Sequence, residues 1–424
     1  MSKTKKPWEV EGVEWREMRL GELIKEKPRY GLTAKAKDKG NFVLLRITDI
    51  NDQGEIKSNN FKFVDLDESE KAKYDIRKGD LLLARSGSVG NFFIAFQDYS
   101  NWIYASYLIR FRLDLNKVHL MFVKYFLSSQ YFKKWVSFQK RPGAQPNINA
   151  KEYSSFKIPL PFRNGKPDLE TQKKIVEYIE ANFSRIDKIL EKKKKELELL
   201  DELWESVLEQ AFKPKEGEEW REVRLGDKNY FHIETGATPK TSVREYWENG
   251  AIKWVTPKDL GKNNGIFIHD TERKITELGL NSCSTTVIPK GSIIISTRAP
   301  IGHIAILGDD MCFNQGCKGL VIKDSDITSK FIYYALLTKI DLMKMLGSGP
   351  TFEELSKDKL TLIKIPIPFR NNQPDLEKQK EIANHLDSVY EKIKILKEKI
   401  QNQITQLEEM KESILEEVFG HENK

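Results

Sequence analysis

The sequence is poor in cysteine and has no long uninterrupted apolar segment. Its 424 residues include three cysteines, Cys283, Cys312 and Cys317, all in the second half. An odd number of cysteines placed so unevenly does not suit an extracellular disulfide framework, and a reducing cytoplasm fits better. No run approaches the ~18 apolar residues of a membrane span, and the charged start, MSKTKKP, lacks the apolar stretch of a secretion signal. These absences predict a cytoplasmic protein that no membrane holds.

The motifs of several enzyme classes are missing as well. There is no Gly-x4-Gly-Lys-Ser/Thr loop, no Gly-x-Gly-x-x-Gly, and no Asn-Pro-Pro-Phe/Tyr or Asp-Pro-Pro-Tyr tetrapeptide of an amino-methyltransferase. A Pro-Asp pair ending at Asp168 resembles the start of a nuclease motif, but it precedes a long helical pattern and recurs in the second half, so we interpret it as a helix cap. A zinc site could be drawn from Cys283, His303, Cys312 and Cys317. The first half shares the plan of the second but has no cysteine, so we predict no metal site and no catalytic centre.

Length and charge point to more than one domain and to an acidic partner. A chain of 424 residues is long enough for two or three cores of ordinary size. Lysine and arginine total 70 against 63 aspartates and glutamates, which gives a net charge of +7. The excess of positive charge favours a polyanion such as nucleic acid as the partner.

Two blocks of sequence occur twice. The letters EGVEWREMRLG at 11–21 return as EGEEWREVRLG at 216–226, and IPLPFRNGKPDLE at 158–170 returns as IPIPFRNNQPDLE at 365–377. The offsets of 205 and 207 residues are so similar that they indicate a duplication. Between the blocks the residues have diverged while a common plan persists. Selection for two different targets on one scaffold would leave this pattern, and drift after duplication is the alternative.

Each repeat ends in a long helical pattern. No Pro or Gly occurs between Pro167 and Pro214, and apolar residues recur alternately every three and four positions over 176–211. The same spacing recurs over 383–418. Both segments are therefore predicted to be coiled-coil helices, the first about 68 Å long, that pack antiparallel against each other. Such packing would place the C-terminus near the N-terminus in a circular organisation with a pseudo-two-fold axis. The exceptions to the apolar seams are Lys193, Lys397 and Lys411.

Further apolar residues lie off these seams and widen the apolar face of each helix. They suit either the binding of a partner protein or the packing of the globular regions, and the pattern does not separate the two. The residues are Ile175, Ile189, Leu199, Leu203, Leu208, Phe212, Ile382, Val389, Ile395 and Leu415.

The remaining sequence forms two globular regions. Residues 1–165 and 213–365 contain short strand-like apolar runs followed by a helical run, and they alternate with the helical spacers 166–212 and 366–424. We predict an α+β fold, with two α/β domains that each hold a mixed or antiparallel sheet, separated by the two long helices. In the first domain we interpret 104–111 as one strand. The aromatic residues of the strand-like runs, Trp102, Tyr104, Trp247 and Trp254, are predicted to lie in the cores.

Loops of both globular regions carry residue types that contact DNA. Arginine can bind guanine bidentately, Asn and Gln can do so with adenine, and Lys, Ser and Thr suit phosphates. A rigid sheet with variable loops is a common way to present such contacts. The prediction rests on the set, because any one of these residues is ordinary in a surface loop. The candidates are Tyr30, Thr33, Lys35, Lys37, Arg85, Ser86, Arg141, Gln145 and Asn147 in the first region, and Thr238, Lys240, Thr241, Arg298 and Thr351 in the second.

The alternation of two divergent globular regions with two nearly identical helices resembles the specificity subunits of type I restriction-modification enzymes over essentially the whole chain. The most telling matches are the two Ile-Pro blocks at 158–162 and 365–369, each followed by a Asp-Leu-Glu-x-Gln-Lys segment and a long helix. In the second region, ETGATP at 234–239 and IKWVT at 252–256 are similar to a recurrent pattern of target-recognition domains. The first region matches that pattern more loosely.

The resemblance implies that this chain positions other subunits on DNA and catalyses no reaction itself. Each target-recognition domain would read one half of a bipartite, asymmetric site in the major groove of double-stranded DNA, and the helices would set the unread spacer. The helices would also dock two modification (methyltransferase) subunits and, through them, the restriction (translocase and nuclease) subunits. S-adenosylmethionine, ATP and Mg would be bound by those partners and no cofactor by this chain. The alternative is a coiled-coil regulatory or architectural DNA-binding protein without enzyme partners, whose helices would leave no sizeable outer apolar surface.

Overall fold

A computed structural model of the chain describes residues 6–57, 60–139, 146–348 and 354–420. These residues form two compact units. The first unit takes the described residues up to Lys194 and from Gln401 onward, and the second takes Lys195–Ile400. Each unit therefore contains one globular region together with a part of both long helices. The segments predicted from the sequence instead treat each long helix as separate from the globular regions.

The first globular region leads into the first long helix. Its strands are β1 (Glu14–Arg19), β2 (Arg29–Tyr30), β3 (Phe42–Leu45), β4 (Lys62–Val64), β5 (Asp75–Ile76), β6 (Asp80–Ala84), β7 (Phe92–Ile94), β8 (Tyr99–Tyr104), β9 (Leu108–Arg112), β10 (Lys157–Arg163) and β11 (Lys166–Pro167). Its helices are α1 (Glu68–Tyr74), α2 (Leu120–Ser128), α3 (Gln130–Gln139) and α4 (Ala150–Ser155), with 3-10 turns at Leu20–Glu22 and Ile47–Asp49. The long helix α5 spans Leu169–Ala211, 43 residues.

The strands of the first region pair in three sheets. Their orders are β2-β9-β6-β7, β4-β3-β8-β5 and β1-β10-β11. The first and third sheets are antiparallel, whereas β3 and β8 are parallel in the second. Every residue of β6 is buried; the apolar run Leu81–Ala84 predicts this for a central strand, whereas the charged Asp80 does not. The prediction of one strand over 104–111 is wrong, because β8 ends at Tyr104, a turn follows, and β9 begins at Leu108.

The second globular region follows α5. Its strands are β12 (Glu219–Arg224), β13 (Phe231–Thr235), β14 (Ile252–Val255), β15 (Phe267–Ile268), β16 (Lys274–Ile275), β17 (Ile293–Ser296), β18 (Ile304–Leu307), β19 (Cys312–Phe313), β20 (Cys317–Ile322), β21 (Lys364–Arg370) and β22 (Gln373–Pro374). Its helices are α6 (Pro257–Lys262), α7 (Glu277–Asn281), α8 (Ser329–Leu337), α9 (Ile340–Gly347) and α10 (Lys357–Thr361), with a 3-10 turn at Arg244–Tyr246. The second long helix, α11, spans Leu376–Phe419, 44 residues.

The sheets of the second region repeat the plan of the first. Their orders are β13-β20-β17-β18-β15, β16-β14-β19 and β12-β21-β22. The central pairs share a register: Ala84 of β6 lies opposite Leu108 of β9, and Ser296 of β17 lies opposite Cys317 of β20. Both regions contain mixed and antiparallel sheets, so the predicted fold class is confirmed.

Each long helix is joined to its globular region by the same pair of hydrogen bonds. The fully buried amide of Gln172 accepts from the His119 backbone N–H at 2.8 Å and donates to the Lys117 carbonyl at 3.0 Å. Gln379 does the same in the second unit, with the Thr328 N–H at 3.0 Å and the Asp326 carbonyl at 2.8 Å. These amides bond polar backbone groups that would otherwise be buried without partners.

The Pro-Asp pairs cap the long helices, as the sequence predicts. Asp168 accepts from the backbone N–H of Thr171 at 3.1 Å and from Arg163 at 2.9 Å. Burial alone would raise the pKa of Asp168, but the hydrogen bonds from Arg163 and Thr171 outweigh it and hold that pKa below its usual value. Asp375 accepts from the Lys378 N–H in the same way. Both aspartates are thus structural caps.

The long helices lie antiparallel within each unit. In the first unit Asp187 of α5 forms an ion pair with Lys411 of α11, and the Lys411 ammonium lies 5.0 Å from the ring centre of Phe183. In the second unit Asp201 pairs with Lys397. Both lysines are seam exceptions in the sequence, and both face an aspartate of the other helix. The antiparallel coiled coil is confirmed at both places.

Burial separates the two explanations for the off-seam apolar residues. Those near the ends of the helices pack into the core of their own unit: Ile175 and Leu415 in the first, and Leu208, Phe212 and Ile382 in the second. Those in the middle of the helices stay exposed, with 44–49% of the residue accessible at Ile189, Leu199, Leu203 and Ile395.

Candidate nucleic-acid interface

A glycine in each globular region brings a loop against the residue that follows a strand, β8 in the first region and β19 in the second. A Cβ on Gly31 would lie 2.2 Å from the carbonyl oxygen of Ala105, and a Cβ on Gly236 would lie 2.2 Å from that of Asn314. Only glycine fits at such distances. The loop then bonds to the neighbouring segment, through the N–H of Leu32 in the first unit and that of Ala237 in the second. Both regions therefore build the same backbone junction.

A second backbone contact, an isolated antiparallel bridge, completes this junction in each unit. In the first unit Ser86 and Asn147 form an isolated antiparallel bridge, and in the second Arg298 and Glu354 do. Together these segments form what we call the loop rim. It comprises residues 30–33, 85–88, 105–107 and 147–148 in the first unit, and 235–238, 297–300, 314–316 and 354–355 in the second. Each rim places side chains from four distant parts of the sequence side by side.

The rim of the first unit carries a stacked arginine. The guanidinium of Arg85 lies 4.8 Å from the ring centre of Tyr30, and the Tyr30 hydroxyl accepts from the Ala150 N–H at 3.1 Å. The Nε of Arg85 is buried and makes no hydrogen bond within the described part of the chain. Tyr107, in the turn after β8, is 58% exposed. Stacking restricts the arginine without using its terminal donors, which are the groups that bind phosphate or guanine.

The rim of the second unit carries polar side chains bonded to each other. The Thr238 hydroxyl donates to the side-chain oxygen of Gln315, and Arg298 Nε lies 3.2 Å from a carboxylate oxygen of Glu354. Lys318, only 4% exposed, donates to the Gln315 carbonyl at 3.4 Å. Burial lowers the pKa of Lys318, and the nearby Arg298 lowers it further, while Glu354 opposes this. The two rims thus share a backbone and differ in chemistry.

The structure brings some of the predicted DNA-contacting residues together at the rims and leaves others elsewhere. Tyr30, Thr33, Arg85, Ser86 and Asn147 lie on the first rim, and Thr238 and Arg298 on the second. Lys35, Lys240 and Thr241 are exposed beyond them, and Lys37 pairs with Asp65 at 2.8 Å beside β4. Arg141, Gln145 and Thr351 lie outside the described residues. DNA contact by any of them stays a prediction.

Sequence reasoning missed three rim residues, Tyr107, Gln315 and Glu354, and it also missed Lys318, which lies beside the rim on β20. Tyr107 was hidden by the interpretation of 104–111 as one strand. A usable signal existed for Gln315, because it stands between Asn314 and Gly316, a typical turn sequence between two apolar runs. Nothing local marks Lys318 or Glu354, which reach these places only through long-range pairing.

The aromatic and cysteine residues weighed in the sequence have structural positions. Tyr104 and Trp254 are buried, and the half-buried Trp247 carries the Arg273 guanidinium 3.6 Å from its ring centre. The cysteines are free, and burial raises the pKa of Cys312 to about 12. Within the described ranges no three His, Cys, Asp or Glu side chains are grouped as metal ligands. In the same ranges, no helix combines the length and the apolar character needed to cross a membrane.

Comparison with known proteins identifies relatives along most of the chain. The family model described as "Type I restriction modification DNA specificity domain" matches twice, at residues 12–199 and 217–406. A putative type I restriction enzyme MjaX specificity subunit of Methanocaldococcus jannaschii is 28% identical, with 95% of this chain and 92% of that protein covered. The MjaIX specificity subunit of the same organism is 34% identical, but that match spans 44% of this chain and only 42% of the relative.

Solved structures show the same fold. One, from work on complex assembly and conformational transition of the type I R-M system, superposes with a TM-score of 0.71 at 24% identity and covers 96% of this chain and 97% of its own. The HsdS subunit from Thermoanaerobacter tengcongensis superposes with a TM-score of 0.53 at 22% identity, covering 99% and 98%. Since the family model matches both repeats and their joining helices, the chain belongs to the type I restriction modification DNA specificity family.

Proposed function

We propose that this chain is the DNA-reading specificity subunit of a type I restriction-modification complex, with each globular region reading one half of a bipartite, asymmetric site. The observation that carries the proposal is the pair of loop rims. Their backbones are equivalent, through Gly31 and Gly236 and the two bridges, while the side chains on them differ. Equivalent frames with different polar groups suit one mode of docking on duplex DNA and two different base sequences.

The exposed middle of the long helices supports the docking of modification subunits. In the second unit Leu199 and Leu203 of α5 and Ile395 and Leu396 of α11 are 45–49% exposed. Met410 of α11 is 53% exposed in the first unit. Apolar side chains that are neither in the seam nor in a globular core favour a protein partner. Two such subunits would join the restriction subunits to the complex.

Catalysis belongs, in this proposal, to the partners. The modification subunits would bind S-adenosylmethionine, and the restriction subunits would bind ATP and Mg, so this chain would be non-catalytic and would only decide where they act. A cytoplasmic location is part of the same proposal and is supported by the three free cysteines.

A coiled-coil regulator without enzyme partners is the weaker proposal. It requires helices that bury their apolar surface against each other and their own globular regions. The exposed leucines and isoleucines in the middle of both helices do not meet that requirement. The family match along both repeats also favours the specificity subunit.

Selection of bound DNA tests the proposal. The purified chain, combined with modification subunits from a related system, is incubated with a random duplex pool and the bound fraction is sequenced. We expect two short conserved elements separated by a gap of fixed length and no preferred sequence. A single continuous site, or binding that is salt-sensitive and without sequence preference, would contradict the proposal. A double variant, Leu199→Asp and Leu203→Asp, is expected to lose binding of the modification subunits while retaining its helix content.

A further inference from the structure

The two rims differ at two equivalent positions where the first unit has serine and the second has a long polar side chain. Arg298 occupies the bridge position that Ser86 occupies in the first unit. Gln315 follows Asn314, as Ser106 follows Ala105, and these two preceding residues face the equivalent glycines of their units. Arginine and glutamine at these places extend farther from the backbone and offer paired donors or a donor and an acceptor.

Arg298 forms an ion pair with Glu354 through its Nε atom. Its Nε lies 3.2 Å from Glu354, and 46% of its side chain is exposed. The contact with Glu354 is made through Nε, so it does not use the terminal nitrogens of the guanidinium. A guanidinium fixed at Nε presents its two terminal N–H groups as a fork, and that fork matches the O6 and N7 acceptors of guanine in the major groove.

Gln315 is oriented by its neighbour. Its side-chain oxygen accepts from the Thr238 hydroxyl, which fixes which end of the amide is the acceptor. The residue is exposed, so the amide NH2 and the second lone pair of the oxygen face solvent. This arrangement suits adenine, whose N7 accepts one hydrogen bond and whose N6 amino group donates another.

We infer that Arg298 and Gln315 are the specificity-determining residues of the second globular region, with Arg298 reading a guanine and Gln315 an adenine. Glu354 and Thr238 are positioning residues that hold these two side chains. The inference rests on the proposed function and deepens it, because it assigns base types to one half-site.

The test is selection of bound DNA by the complex of the full chain with modification subunits, at one fixed salt concentration. Arg298→Ala is expected to reduce discrimination at one G·C pair of the second half-site by ~5- to 150-fold, and Gln315→Ala to do so at one A·T pair. Arg298→Lys keeps the charge and loses the fork, so it should relax the guanine preference while retaining most of the affinity. The first half-site serves as the internal folding control for every variant.

Arg221 offers a matched control. It lies on β12, its side chain is 40% exposed, and it pairs with the carboxylate of Glu219. Unlike Arg298, it also uses a terminal nitrogen within the protein, to donate to Asn372, and its guanidinium lies 4.2 Å from the ring centre of Phe369. Arg221→Ala is expected to leave both half-sites unchanged. The positioning role of Glu354 has its own readout: Glu354→Ala should raise affinity for random DNA, because a negative charge is removed, while lowering the guanine preference. If Glu354 were needed only for folding, Glu354→Ala would lower affinity for specific and for random DNA together.

Two results would overturn the inference while leaving the proposed function intact. One is a uniform loss of affinity in Arg298→Ala with an unchanged consensus and a salt dependence reduced by about one charge, which would identify a phosphate contact. The other is an unchanged second half-site in both alanine variants. If the unmodified chain itself selects no bipartite site, the proposed function fails first, and that outcome is distinct from these two.

Discussion

The central strands of the two globular regions pair in the same register but carry different side chains at three equivalent positions, which are charged in the first unit and uncharged in the second. In the first unit Asp80, which is fully buried, accepts from Arg112 at 2.8 and 3.1 Å, and the 4% exposed Arg110 pairs with Glu26 at 2.8 Å. In the second unit the shared register puts Ser292, Gly319 and Val321 at the places of Asp80, Arg110 and Arg112.

The duplicated frame is therefore specified by backbone pairing and by a small number of junction residues. The same strands accommodate either an ionic network or apolar side chains. Both arrangements can leave few buried polar groups without hydrogen-bond partners. Besides the two repeated blocks of sequence, the units share Gly31 and Gly236 at the rims and Gln172 and Gln379 at the long helices. Variation elsewhere is compatible with one frame.

The largest expected effect comes from breaking the buried network of the first unit. Asp80→Ala leaves Arg112 without its main partner and should reduce the stability of the first unit by about 3–5 kcal/mol. Ser292→Ala, the matched change in the second unit, should be neutral or slightly stabilising, because the Ser292 hydroxyl is buried without a hydrogen-bond partner in the described structure. Hydrogen exchange of β6 and β9 against β17 and β20 measures both. Equal losses of exchange protection in the two units would contradict the expected difference between Asp80→Ala and Ser292→Ala.

Removing the buried amides tests what the units share. Gln172→Ala and Gln379→Ala each leave a backbone N–H and a carbonyl without a hydrogen-bond partner and create a cavity. Each should therefore reduce the stability of its own unit by about 2–4 kcal/mol. Exchange protection at the start of α5 and of α11 reports the loss. The exposed Lys173→Ala is the control and should change stability by less than about 0.5 kcal/mol. A large effect in one unit alone would show that the junctions are not equivalent.

A pH dependence is expected at the start of β12 that the equivalent position of the first unit lacks. A backbone hydrogen bond from Lys215, then bonds from Trp220 and Lys378, lower the pKa of Glu218 from 4.5 to about 2. A lowered folded-state pKa stabilises the fold above the unfolded-state value, and this stabilisation is lost as pH falls from about 4.5 toward 2. The equivalent residue of the first unit is Val13. Glu218→Gln should flatten the acid response of β12 protection, and an unaltered response would show that other groups cause it.

The smallest effects are expected at the two seam lysines. The ion pairs of Lys411 with Asp187 and of Lys397 with Asp201 are partly exposed, and such pairs contribute little. Leucine would extend the apolar seam, so Lys411→Leu and Lys397→Leu should each raise stability by up to about 1 kcal/mol. Thermal unfolding followed by circular dichroism measures the change. A lower melting temperature would show that the charged pair matters for pairing the helices.

The long helices and the duplication could be predicted from the sequence because both depend on short-range periodicity and direct repetition. The predicted helical spacer 166–212 begins three residues before the observed helix Leu169–Ala211 and ends one residue after it. The strand order could not be predicted, because it depends on pairings between segments far apart in the chain. An apolar run also does not reveal a tight turn inside it, which is why the break after Tyr104 was missed.

The candidate site was predictable only in part, for the same physical reason. Residue type and loop position identify Arg85 and Arg298, whose side chains are typical of DNA contacts. The partners that orient them, Tyr30 and Glu354, come from segments 55 and 56 residues away along the chain. Local sequence carries no information on such distant contacts.

The most direct test of the central claim is a domain exchange. Residues 213–365 are replaced by the corresponding region of a related specificity subunit whose half-site differs, and bound DNA is selected with modification subunits present. The account predicts that one half of the bipartite consensus changes to that of the donor while the other half and the gap stay the same. A consensus that changes in both halves, or in neither, would contradict the assignment of one half-site to each globular region.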